Sequence, residues 1–136
     1  MKSLFSLLAS TAFFISLTTT ARAHEHSITV CSETRADVCA HLGFEEPLHA
    51  TTEGKFMAHV MTPANKDIRD FKLDLFMDMG GGHGHGSAPV EIKSLGQNRF
   101  AISNAWFVMQ GPWMVRMDFE FEQAEHHIEI PVDIKP

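Results

Sequence analysis

Residues Phe76 through Pro89 concentrate soft sulfur, imidazole and a freely bending backbone. Met77 and Met79 come first, Gly80, Gly81 and Gly82 follow, and His83 and His85 are set among Gly84 and Gly86. Thioether sulfur favours Cu(I) and imidazole accepts either copper oxidation state, so these residue types in this order point to copper. The glycines give the backbone freedom to wrap an ion. The same run also describes a solvated loop with no ligand, and Met77, on an alternating strand, reads as core. Met79, at the strand's end, is therefore the better sulfur donor.

A second donor group is His24-Glu25-His26-Ser27. If the chain is processed after Ala23, His24 carries a free α-amine. That amine, two backbone nitrogens and the His26 imidazole make the square plane that Cu(II) prefers. An N-terminal His can instead chelate with its own amine and ring, and a frayed terminus with incidental histidines is the competing reading. Elsewhere, His59 between Met57 and Met61 is either another soft cluster or the outer side of a strand. His41 and His49 read as solvated or capping residues, and His127, next to His126, as surface polarity.

These donors need elements to position them, and the chain supplies strands. Phe56, Ala58 and Val60 alternate with Met57, His59 and Met61. Phe71, Leu73, Leu75 and Met77 form a second row, Trp113, Val115, Met117, Phe119 and Phe121 a third, and Ile128, Ile130, Val132 and Ile134 a fourth. Such period-two runs, broken by turn signals at Pro63, Asn98, Gly111-Pro112 and Gln123-Ala124, predict an all-β fold. We expect an immunoglobulin-like antiparallel β-sandwich of about seven strands. Ile28 to Cys31 reads as a short strand, Glu33 to Leu42 as one or two helical turns, and residues 43–54 as irregular connection.

Met1-Lys2-Ser3, an apolar stretch from Leu4 to Leu17, and Ala21-Arg22-Ala23 form a basic, an apolar and an Ala-x-Ala region. This pattern is that of a secretory signal peptide over residues 1–23. Its apolar part is shorter than the roughly 20 residues that span a bilayer. The expected mature chain has no membrane span and is exported to the periplasm of a Gram-negative-type cell. Removing residues 1–23 from 136 leaves 113 residues, with nine bases against seventeen acids, a net charge of −8. That charge disfavours nucleic acid and anionic lipid and mildly favours a cationic ligand. Residues 24–54 read as an N-terminal segment and residues 55–136 as the sandwich domain. Cys31 and Cys39, an even pair in an oxidising compartment, are expected to form a disulfide in that segment, a thiolate copper pair being the alternative.

In a sandwich, loops gather at two poles, so Met79 with His83 or His85 can meet Met109, which ends another strand before Gly111-Pro112. Met79, the segment His85-Gly86-Ser87-Ala88-Pro89-Val90, Arg99-Phe100, and Phe107 through Val115 resemble the YtkA-like domain family. That family has a Met-x(n)-His-Gly segment followed by a Met-x-Gly-x-Trp segment. The resemblance covers residues 55–134. It implies an exported immunoglobulin-like domain, related to the FixH-like proteins of respiratory oxidase assembly and implicated in copper handling. By position it assigns Met79, His83 or His85, and Met109 to the ligand set. This chain has a longer glycine insert and a second His, which leaves the choice of imidazole open.

The expected function is a periplasmic copper-binding protein that buffers or delivers Cu(I), with a copper-dependent oxidase or a copper transporter as partner. The alternatives are a metal-free binding or assembly module for a membrane complex, and a Cu(II) site at the processed terminus of the kind used by oxidases. No Ser/His/Asp or Cys/His nucleophile set is visible, so a non-enzymatic role is expected.

Overall fold

In the last two long strands every second residue is apolar, and these residues form one buried row per strand. Trp113, Val115, Met117, Phe119 and Phe121 lie on β8 (Gly111–Phe121), and Ile128, Ile130, Val132 and Ile134 on β9 (Ala124–Ile134). The polar residues between them face out, as a half-buried antiparallel strand requires. A computed structural model describes residues 26–136, and the expected signal peptide, with His24, lies outside the described residues. In chain order the remaining strands are β1 (His26–Cys31), β2 (Cys39–Phe44), β3 (Glu53–Met61), β4 (Arg69–Gly80), β5 (His83–Gly86), β6 (Glu91–Gly96) and β7 (Arg99–Trp106). A single 3-10 turn over Pro63–Asn65 separates β3 from β4.

The nine strands form two antiparallel sheets, one ordered β1-β2-β3-β7-β6 and the other β5-β4-β8-β9. Their inner faces meet in one core that includes Leu42, Phe56, Val60, Leu75, Ile102, Phe107 and Trp113. The all-β sandwich read from the sequence is therefore the fold, with nine strands where about seven were expected. Edge β1 packs beside edge β9. The other two edges are β5 and β6, and every residue of both is exposed.

The two extra strands are β2 and β5. Residues Glu33 to Leu42 do not form helical turns. Val38, Ala40 and Leu42 are fully buried at period two, and Cys39 to Phe44 pair with β1 while Cys39 to Gly43 also pair with β3. The small side chains of Ala40 and Gly43 hide that alternation in the sequence. Two of the three strands that lead the five-stranded sheet thus precede residue 55, and the segment 26–54 is part of the sandwich. Cys31 and Cys39 are register partners joined by a disulfide, which staples β1 to β2 across the Ser32–Val38 turn. At a separation of 8 residues, chain-entropy arguments give it about 2–3 kcal/mol. Among the described residues, no helix is long and apolar enough to cross a membrane.

Candidate metal centre

The Gly/His stretch is a hairpin and not an open loop. Gly80, Gly81 and Gly82 take φ of 80°, 63° and 79°, backbone that L side chains adopt only with strain, so three successive glycines make the turn cheap. Beyond the turn, β5 folds back on β4 with Met77 opposite His85, Asp78 opposite Gly84, and Gly80 opposite His83 across a bulge. Asp78 anchors the turn by accepting the Gly80 N–H at 2.8 Å.

Register determines which faces these side chains share. Met77 belongs to the buried row of β4, and its partner His85 lies on the same face of the sheet. His83, two residues before His85, shares that face, and Met79 continues the Met77 row past the core and is 52% exposed. Both imidazoles thus share the inner side of the four-stranded sheet with Met77, and Met79 follows at the exposed bulge of the hairpin, at the edge where β5 and β6 leave the sandwich open.

Phe76, on the opposite face, holds the hairpin in place. A Cβ on Gly84 would overlap the Phe76 ring, which packs over that glycine. The Arg116 guanidinium caps the ring from 4.3 Å and is itself bonded to Asp74 through Nε at 2.9 Å. A Gly84→Val substitution is expected to lift Phe76, unzip β5 and cost about 1–3 kcal/mol, the usual range for overpacking. Amide hydrogen exchange should show the loss confined to residues 83–86 and their partners on β4. Protection unchanged from wild type would mean that the ring does not hold the strand.

Met109 reaches the same pole from the other sheet. Residues 107–110 carry the chain from the end of β7 to the start of β8. The β4–β8 pairing runs to Phe76 opposite Met114, and continued by three residues it sets Met79 beside Gly111. A Cβ on Gly111 would sit 3.4 Å from the Met77 methyl, which marks how closely the two strands approach there. Met109 is half-buried against the core, and its carbonyl accepts a 2.9 Å hydrogen bond from the Trp113 indole N–H. Trp113, buried edge-on against Phe107, therefore fixes the backbone that presents the Met109 sulfur. Trp106 and Val108 are exposed on either side of Phe107, leaving apolar surface on the crossover that carries Met109.

His26 opens β1 opposite Phe44 and is exposed. It lies at the same pole but on the β1/β9 flank, across the width of the sheet from β5, so the structure does not bring it to Met79. It lines a hollow with Ile28, Phe44, Leu48 and His49, and His49 donates from Nδ1 to the Pro136 carbonyl at 2.8 Å. His49, read from the sequence as solvated or capping, thus caps a backbone carbonyl while staying exposed.

The remaining histidines are held elsewhere. His127 sits between Asp118 at 2.7 Å and Glu129 at 3.1 Å, and these hydrogen bonds raise its pKa above the ordinary imidazole value. His126 is buried against Phe119, with its Nε2 unpartnered among the described residues. His41 was not recognised in the sequence as part of any cluster. It pairs directly opposite His59, and partial burial, then the Arg99 charge and His41 itself, lower the pKa of His59.

Among the described residues, no three His, Cys, Asp or Glu side chains gather as a metal-holding group. An ion at the β4–β5 pole would be held by thioethers together with imidazoles, a donor set that suits Cu(I) and not the oxygen-seeking Mg²⁺ or Ca²⁺. Comparison of the chain with family models, curated proteins and solved structures finds no match.

Proposed function

We propose that the protein binds Cu(I) as cargo at this pole, through Met79, Met109 and one or both of His83 and His85, and buffers or delivers it in the periplasm. The observation that carries the reading is the convergence on one pole of a two-imidazole hairpin, the exposed end of the Met77–Met79 row and the Met109 crossover. Support also comes from the resemblance of the Met79, His85-Gly86 and Met109 segments to YtkA-like domains. None of the four donors is a carboxylate or a thiolate, which matches a monovalent ion that must later be released. The exposure of Met79, and of Trp106 and Val108 on the Met109 crossover, suits handover to a partner such as a copper-dependent oxidase or a copper transporter. The role is that of a carrier and not a catalyst.

An anaerobic Cu(I) titration against a strong competing chelator tests this. The expected result is a retained ion at the pole and an unfolding temperature that rises with free Cu(I), because a ligand selective for the folded state stabilises it by mass action. No retained copper and an indifferent melting temperature would support the metal-free assembly module instead. Cu(II) titration of forms with a free and a blocked α-amine at His24 separates the terminal site, since only the free amine completes the His24/His26 plane.

A further inference from the structure

The outward face of the five-stranded sheet carries soft donors that the pole site does not use. One lane across that face runs Thr29, His41, His59, Arg99 over β1, β2, β3 and β7. The next lane runs Ser27, Gly43, Met57, Ala101, Lys93, and the lane on the other side holds Cys31, Cys39 and Met61. Two histidines therefore face each other directly across β2 and β3, flanked along β3 by a thioether on either side.

We propose that His41 and His59, with Met57 and Met61 beside them, form a second site for a soft monovalent ion, Cu(I) or Ag(I). Directly opposed residues of an antiparallel pair have Cβ atoms about 5 Å apart. Two metal–imidazole bonds of about 2 Å each span about 4 Å between nitrogens, so this spacing is matched to an ion shared by the pair. His41 is already oriented, with its Nδ1 2.9 Å from the Thr29 hydroxyl. In the tautomer protonated at Nδ1, that bond leaves the Nε2 lone pair free, and a hydrogen bond of this kind commonly fixes a ligating imidazole. Met57 is 38% exposed and lies between Gly43 and Ala101, whose small side chains leave its thioether room to lean toward the histidines.

Charge favours a monovalent ion. The three lanes contain no carboxylate, and two cations lie beyond the donors: Lys93 in the Met57 lane and Arg99 next to His59, its guanidinium turned to Gln97 Oε1 at 3.0 Å. Coulomb repulsion from these cations is doubled for a divalent metal, and hard ions find no oxygen ligands. The site lies on the outward face of the five-stranded sheet and the pole site at one end of the sandwich, and they share no donor, so either can exist without the other.

Ag(I), a redox-inert stand-in for Cu(I), provides the test. In ¹⁵N-labelled wild-type protein, the ring nitrogens of His41 and His59 should shift together and saturate at the same Ag(I) concentration, and require at least about 10-fold more Zn(II) to respond. The shifts should persist in the Met79→Leu/Met109→Leu variant. His41→Thr/His59→Thr should bind one Ag(I) fewer while His83 and His85 still respond. Rings of His41 and His59 that stay unshifted at saturating Ag(I), or only one of which shifts, would overturn the site, and so would a tighter response to Zn(II). The wild-type ring signals decide the matter even if the histidine variant folds poorly.

Discussion

Replacing Met79 and Met109 together by leucine should lower Cu(I) affinity at the pole by about 100-fold or more, the upper end of what disturbing even the supporting shell of a metal site costs. The unfolding midpoint of the metal-free protein should hardly move. Leucine conserves volume and apolarity, and swaps of this kind usually cost less than about 1.5 kcal/mol. Met79 is more than half exposed, and Met109 is only partly packed against the core, so both sites tolerate the change in shape. What leucine removes is the sulfur lone pair. The hairpin then offers two imidazoles, a weaker set for Cu(I) than a mixed thioether and imidazole cage. Competition titration under anaerobic conditions measures the affinity, and denaturant unfolding of the apo form measures the fold. Unchanged affinity in a folded double variant would refute the pole site. Single His83→Ser and His85→Ser variants then separate the imidazoles. His85 sits in register with buried Met77, whereas His83 adjoins the bulge at the turn, so the two present different directions to the same ion.

Some of this architecture was readable from residue types and some was not, for physical reasons. The buried rows of β4, β8 and β9 were readable because each strand alternates large apolar residues with mostly polar or charged ones over several positions, as a sheet with one wet face imposes. The β2 strand was not readable. Its inward residues include Ala40, its outward ones Cys39, His41 and Gly43, and no hydropathy contrast separates them. His-Gly-His-Gly of β5 contains no apolar residue at all. That strand exists because three left-handed glycines reverse the chain and Phe76 lies over Gly84, a contact between residues whose types say nothing of pairing. The same limit applies to the donors. Met79 at a strand end and Met109 before Gly111-Pro112 could be placed at one pole from strand order alone. The opposition of His41 to His59 depends on the exact register of two strands separated by an irregular connection, and residue spacing does not encode it.

Trp113→Ala should be the most destabilising single change at the pole, costing about 3–5 kcal/mol, the usual range for truncating a buried tryptophan. Trp113 is 1% exposed and packs edge-on against Phe107 at 5.4 Å between ring centroids, so its removal opens a void between the two sheets. The site should suffer for a different reason, which Trp113→Phe isolates. Phenylalanine keeps most of the bulk and the contact with Phe107 but has no N–H to donate to the Met109 carbonyl. Losing that bond costs about 1 kcal/mol of stability, and it also frees the backbone that carries the Met109 thioether. Cu(I) affinity in Trp113→Phe should therefore fall more than stability alone explains, and should fall very little further when Met109→Leu is added, because the sulfur is already displaced. Purely additive losses in that double-mutant cycle would show that Trp113 supports the core without positioning Met109. A coupling of the expected sign would instead make the indole the link between the packing of the sandwich and the geometry of its pole.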